Sequence, residues 1–312
     1  MFEIKYKILI IMIFSHTNLI CVLILIIGGL NAQSNSKSEA ENENEKIENP
    51  QAYKIYNSKG KEISYKKMTA ALSENDMVFF GELHNNTVSH WLQHELSRDL
   101  YAAKGTNLAL GAEMFESDNQ VIMNEYFLGF ISQGNFEKEM RMWPNYETDY
   151  KPLIEFAKEN GLRFVASNVP RRYASMVSKE GIEKLADLPS HSKIYLASLP
   201  IKVDLNLKCY KDMLEMSGGN EFFPQAQMVK DATMAHFIMQ NWSKGELFLH
   251  FNGSFHSDNK EGIIYYVRQK QPSIKIANIT TVEQDNIEKL EKEHQGKADY
   301  IICVPARMTK TY

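Results

Sequence analysis

The chain has 312 residues, a formal net charge of −4, and a composition that is 44% hydrophobic and 24% charged, which excludes a disordered protein and allows a sizeable core. Its basic residues are dispersed rather than clustered. That excludes the footprint of a nucleic-acid binder and leaves a small molecule as the expected partner.

Lys5 and Lys7 precede apolar runs at Ile8–Phe14 and Leu19–Leu30, and Asn31-Ala32 then stands ahead of Gln33. This is the pattern of a secretory signal over residues 1–32 cleaved near Ala32, with an uncleaved membrane anchor as the alternative. Cys21 follows Ile20 where lipidation wants a small residue, so simple cleavage is favoured and the protein is expected to be exported, periplasmic or membrane-associated. Cys209 and Cys303 remain; in an oxidising compartment they can pair, and neither belongs to a Cys-x-x-Cys motif. Residues 33–50, rich in Ser, Glu, Asn and Lys, read as a disordered polar linker.

From residue 51 the chain reads as a single α/β domain, a mainly parallel central sheet flanked by helices, with a helical cap inserted between core strands at 118–150 and 173–220. Tyr53–Tyr56 and Glu62–Tyr65 alternate around Asn57-Ser-Lys-Gly60, the pattern of a small hairpin, and a short helix follows at Lys66–Ser73. Met77-Val-Phe-Phe80 is bulky and does not alternate, so it reads as a buried parallel strand. Gly81 is expected to turn the backbone at the carboxyl end of that strand, the edge where open α/β sheets bind ligands. Val88, Trp91, Leu92, Leu96 and Leu100 then keep helical spacing. A second strand is expected at Asn107–Glu116, followed by a helix at Asp118–Gln133 with Val121, Ile122, Tyr126 and Phe130 along one stripe. Met142–Tyr150 is aromatic and aperiodic, a loop or lid. A helix at Pro152–Lys158, a strand at Leu162–Ala166, mostly helical chain at Tyr173–Gly219 and a long helix at Phe223–Trp242 follow. Glu246–Phe251 is again a short apolar strand, and beyond it a helix is expected at Gly262–Gln269, a strand at Ile274–Ile279, a helix at Val282–His294 and a last strand at Tyr300–Val304.

Two strands thus end in Gly-x-x-His: Gly81-Glu-Leu-His84 and Gly253-Ser-Phe-His256. If the strands are neighbours, both imidazoles and Glu82 reach one sheet edge, joined by Glu113 and Asn168 from the other strand ends. Such a group has two chemical uses. It can hold a divalent ion such as Mn, Zn or Co through His84, His256, Glu113 and Glu82, or the same four residues can act as general acid and base. Asp231, four residues after Gln227 on a helix face, is costly to bury alone and should meet an arginine or a histidine. A large flat ligand such as haem would instead use aromatic walls, an axial ligand from Tyr146, Tyr150, Tyr173 or His256, and Arg171 or Arg172 for its propionates.

Five blocks in order strengthen the second picture. Gly81-Glu-Leu-His84-Asn-Asn, Leu108-Ala-Leu-Gly-Ala-Glu113-Met-Phe115, Tyr150-Lys-Pro-Leu153 with Phe156-Ala157, Ala166-Ser-Asn168-Val-Pro-Arg171 and Gln227-Met-Val-Lys-Asp231-Ala-Thr-Met-Ala235 together resemble the ChaN-like haem-binding uptake family. That family belongs to a wider group with the Tiki proteins, TraB-like proteins and erythromycin esterases. The resemblance spans Met77 to Arg268. It implies an α/β protein of haem or iron acquisition, with outer-membrane haem transport components as partners and a homodimer, and a pocket of Glu82, His84, Glu113, Asn168, Arg171, Asp231 and His256. Relatives that use these turns as a metal or hydrolytic centre keep a divalent-metal-dependent hydrolase, esterase or peptidase, as the alternative. The chain departs from the family in its second turn, where Phe255 stands in place of a small residue before His256, and in lacking a lipobox.

Overall fold

A computed structural model describes residues 50–312. The expected signal and nearly all of the linker therefore lie outside the described residues. The strands are β1 (Lys54–Asn57), β2 (Met77–Glu82), β3 (Leu108–Glu116), β4 (Arg163–Asn168), β5 (Leu247–Gly253), β6 (Ile276–Gln284) and β7 (Tyr300–Pro305). The helices are α1 (Tyr65–Leu72), α2 (Thr87–Lys104), α3 (Gln120–Phe127), α4 (Gln133–Glu139), α5 (Lys151–Glu159), α6 (Arg171–Glu180), α7 (Ser190–Lys193), α8 (Lys208–Met216), α9 (Phe222–Asn241) and α10 (Ile263–Lys270). One seven-stranded sheet has the order β1-β7-β6-β2-β5-β3-β4. Only the β1–β7 pair is antiparallel; the other pairs are parallel.

Every residue of β2 and β5 is buried, because helices cover both faces of the sheet. Val78 and Phe80 pack with Leu92 and Leu96 of α2 on one side. Met77 and Phe79 pack with Met228 and Ile238 of α9 and with Ile263 of α10 on the other. This two-sided burial explains the absence of alternation in those strands. Each fully buried large apolar side chain contributes about 1.5–3 kcal/mol of transfer free energy.

Several expectations change. Gly81 lies inside β2 and turns nothing: a Cβ there would meet the Ile279 carbonyl and Ser254 Cα, both at 2.9 Å, so the glycine serves close approach between strands. The hairpin arm at Glu62–Tyr65 reduces to one bridge, Tyr56 to Glu62, and β1 pairs with β7 instead. The helix expected at Val282–His294 does not form. The β-branched run Thr280-Thr281-Val282 extends β6 along β7, with Thr281 opposite Ile302 and Val282 opposite Cys303. The span 118–133 breaks at Leu128-Gly129, where Gly129 takes positive φ; α3 buries Met123 and Tyr126, and Val121 and Phe130 are exposed. Met142–Tyr150 ends in a π-helical turn, Tyr146–Tyr150. Cys209 on α8 and Cys303 on β7 are both free and buried, in separate apolar clusters, so they do not pair. Among the described residues no helix is long and apolar enough to cross a membrane.

Phe80→Ala is expected to lower stability by about 3–5 kcal/mol through the cavity it leaves, whereas the exposed Phe130→Ala should stay within about 0.5 kcal/mol. Urea denaturation of both variants checks the contrast.

Candidate functional site

The strands β2 and β5 are neighbours, with Gly81 opposite Asn252 and Glu82 opposite Gly253. Both Gly-x-x-His segments therefore leave the sheet at one edge, and β3, on the far side of β5, adds Glu113. The contacts join these residues directly. His256 Nε2 lies 3.0 Å from Glu113 Oε1, and the Gly253 N–H donates to Glu113 Oε2 at 2.8 Å. A Cβ on Gly253 would sit 2.7 Å from His84 Nε2 and 3.5 Å from that same carboxylate oxygen. The missing side chain thus lets the His84 ring lean over the strand toward Glu113, and the two imidazoles flank one carboxylate.

Each imidazole has a second carboxylate behind it. His256 Nδ1 is in hydrogen-bond contact with Asp231 Oδ1, and Asp231 Oδ2 accepts from the Tyr210 hydroxyl at 2.7 Å. His84 Nδ1 lies 2.8 Å from Glu82 Oε1. The same oxygen accepts from Tyr150 at 2.6 Å, and Glu82 Oε2 accepts from the Gln93 amide. The His84 carbonyl accepts from Asn145 at 2.9 Å and lies 3.1 Å from His90 Nε2.

Burial alone would strip His256 of its proton, but Glu113 and Asp231 outweigh it and push the ring up to about 10, leaving an imidazolium at neutral pH. Burial opposes the charge of Glu113, and His256 overcomes it, holding the carboxyl well below its ordinary value. Burial pushes Asp231 up. At His84, burial works against the charged ring, but Glu82 and Glu113 raise it. Glu82 is lowered against its own burial by His84, His90 and Tyr150. His250, buried between Ser167 and Asn252, is pushed down to about 4 by burial and stays neutral.

A cleft of about 1440 Å³ opens over this floor. Met142, Trp143, Met213, Phe223 and Phe255 form apolar walls, and Arg141, Arg171 and Lys230 bring positive charge. Trp143 meets the His84 ring edge-on at 4.8 Å. Glu82, His84, Glu113, Asn168, Arg171, Gln227 and His256 all line the cleft. Asn168 donates to the Glu113 carbonyl at 2.9 Å, Gln227 sets its amide 2.9 Å from His256 Nε2, and Asp231 is fully buried behind that ring.

The expected tyrosines lie elsewhere. Tyr146, Tyr150 and Tyr173 are buried, and none lines the cleft. Arg172 is also outside it, paired with Asp118 at 2.6 Å and stacked over Tyr173. Gln93 and Tyr210 were not singled out from the sequence. For Gln93 a signal exists, since His90, Gln93 and Ser97 put polar groups on the buried side of α2; for Tyr210, whose partner lies 21 residues away, none does.

The donor set fits the two candidate groups differently. Apolar walls together with the cations Arg171 and Lys230 at the cleft suit haem. Glu82, His84, Glu113 and His256 do not offer four donors to one ion, because both His256 nitrogens already face carboxylates. Among the described residues the acid and histidine groups with ligand atoms within 4.8 Å of one another are Glu291, Glu293 and His294, on the loop after β6.

His256 gains its proton affinity on folding, from 6.5 to about 10, so its stabilisation is complete below pH 6.5 and is lost as pH rises toward 10. Glu113 is lowered from 4.5, so its contribution is present above pH 4.5 and is lost on acidification. His256→Asn should cost about 3–5 kcal/mol at pH 7 by leaving buried carboxylates unpaired, with a smaller penalty at pH 9.5. Urea denaturation at the two pH values tests the sign.

Comparison with known proteins bears on the fold and the family. The structure described as cofacial haem binding to ChaN of Campylobacter jejuni is similar with a TM-score of 0.62 at 15% identity, over 82% of this chain and 98% of that one. That identity shows shared fold alone. An erythromycin esterase, EreC, in its open conformation is a looser match, with a TM-score of 0.47 at 10% identity over 82% of this chain and 98% of the other. Protein RETICULATA-RELATED 5, chloroplastic, of Arabidopsis thaliana is 25% identical over 150 residues, 44% of this chain, and the match spans only 20% of that protein's length. The profile of the family described as haem-binding uptake, Tiki superfamily, ChaN matches residues 68–267, and the chain belongs to that family.

Proposed function

We propose that the protein is an exported haem-binding protein of haem or iron uptake, with haem held between the helical cap and the carboxyl edge of the sheet. One observation carries this reading. The cleft joins aromatic and methionine walls to the cations Arg171 and Lys230, above a floor of held imidazoles. Trp143, Phe223 and Phe255 would supply apolar contacts to the porphyrin, and Arg171 and Lys230 would hold its propionates as charge-assisted pairs. Arg141 is less available, since Glu116 and Asp118 already engage it. Membership of a haem-binding family supports the choice of ligand.

Export is supported by the basic, apolar and small-residue pattern of residues 1–32. Outer-membrane haem transport components as partners, and assembly into a homodimer, belong to the same proposal.

Hemin titrated into the chain lacking residues 1–32 is expected to show a Soret band shifted from that of free hemin, saturating at stoichiometric protein. An unchanged spectrum overturns the reading. Arg171→Ala combined with Lys230→Ala should weaken binding by about 10–100-fold, the effect of losing charge-assisted hydrogen bonds of roughly 1.5–3 kcal/mol.

A further inference from the structure

We propose that the turn joining α3 to α4 is a membrane-docking tip, which sets Leu128 and Phe130 into the interface of a lipid bilayer. Phe127-Leu-Gly-Phe-Ile131 is an unbroken apolar run, and at its centre Leu128 is 71% and Phe130 77% exposed. Scattered exposed apolar side chains are ordinary, but an apolar run whose centre stands in water is not. The charges stop on either side of it. The residues from Tyr126 to Phe136 carry none, with Glu125 before them and Glu137 after.

The tip is held from beneath, and the holding does not use the exposed side chains. Phe127 and Ile131 pack on the core, Tyr126 stacks on Phe136 at 4.5 Å, and the Tyr126 hydroxyl donates to Glu155 at 2.7 Å. α3 closes in a Schellman turn, with Gly129 at positive φ. The Gly129 N–H donates to the Tyr126 carbonyl at 3.1 Å and the Phe130 N–H to the Glu125 carbonyl at 2.9 Å. In that motif the residue in the place of Phe130 commonly packs back on the helix; here it would have to cover Glu125, and the ring stays outside. The N–H groups of Leu128, Gly129 and Phe130 are all bonded within the chain, so an apolar medium leaves none of them unpaired. Two side chains of this kind offer roughly 300 Å², well short of the ~800 Å² per partner that a stable protein complex buries, so a second copy of the chain is a poor occupant. A bilayer fits, because an interfacial contact needs only shallow apolar insertion, and residues 1–32, whether signal or anchor, direct the chain to a membrane. Among the described residues no helix is long and apolar enough to cross one, and the proposed contact is accordingly superficial.

The test uses the chain lacking residues 1–32, since the sheet and its cores are built from residues beyond that cut. It is sedimented with phosphatidylcholine vesicles, with and without phosphatidylglycerol, at low and at high salt. With no charge at the tip, binding of similar strength is expected under all of these conditions. Leu128→Asp combined with Phe130→Asp should lower the bound fraction by roughly tenfold or more, the effect of losing two buried apolar side chains. Phe130→Trp should add a tryptophan emission that shifts to the blue on vesicles and is quenched by brominated lipid. Both variants are expected to keep the wild-type circular dichroism and hemin response, because neither residue lines the cleft. Absence of vesicle binding by the wild-type chain, binding unchanged in the double aspartate variant, or binding that requires phosphatidylglycerol and disappears in high salt overturns the proposal. Self-association abolished by the same double variant also overturns it, and assigns the tip to a second copy of the chain.

Discussion

The parallel register that sets Glu82 of β2 opposite Gly253 of β5 is the constraint on which the site depends. A slip of one residue would carry Glu82 to the other face of the sheet, away from Gln93 and Tyr150. The absence of a side chain at Gly253 is the second half of the same constraint, because the imidazole of His84 occupies that space. The register is held by close approach elsewhere, at Gly81, where the Ile279 carbonyl and Ser254 leave no room for a Cβ.

The floor of the cleft is built of charges that tolerate burial only together. Glu113, Asp231 and His256 are each at least nine-tenths enclosed, and an isolated ion there would neutralise or cost several kcal/mol. Pairing both carboxylates with one imidazole, and capping them with the Gly253 N–H and the Tyr210 hydroxyl, satisfies the ions at the expense of His256 as a metal ligand. His84 differs in having a carboxylate on Nδ1 alone and a side chain left partly exposed at the cleft. The two Gly-x-x-His segments look alike as sequence and do different work: one imidazole braces the floor, the other faces the cleft.

Much of this was legible in the amino-acid sequence. The unalternating runs at Met77–Phe80 and Leu247–Phe251 marked the central strands because burial on both faces removes the polar alternation. The repeated Gly-x-x-His pattern identified Glu82, His84 and His256, and Asp231 was expected to need a buried partner. What was hidden concerns direction. Tyr146, Tyr150 and Tyr173 are aromatic residues near the cleft in the chain, yet only their packing decides that the rings turn inward. Arg171 and Arg172 are adjacent and chemically identical, and a helix turn of about 100° per residue sends one into the cleft and the other to Asp118. The strand at Val282–Gln284 was misread because its helical spacing was visible while its partner β7 lies some twenty residues further on.

Hemin binding by Gly253→Ala probes the central claim most directly, since it adds one methyl at the point where β5, His84 and Glu113 meet. The added carbon would lie 2.7 Å from His84 Nε2 and 2.9 Å from Cε1, so the ring must move. The account predicts a folded protein whose hemin affinity falls, because the displaced ring reshapes the floor of the cleft. A folded variant that binds hemin with unchanged affinity and spectrum would contradict it.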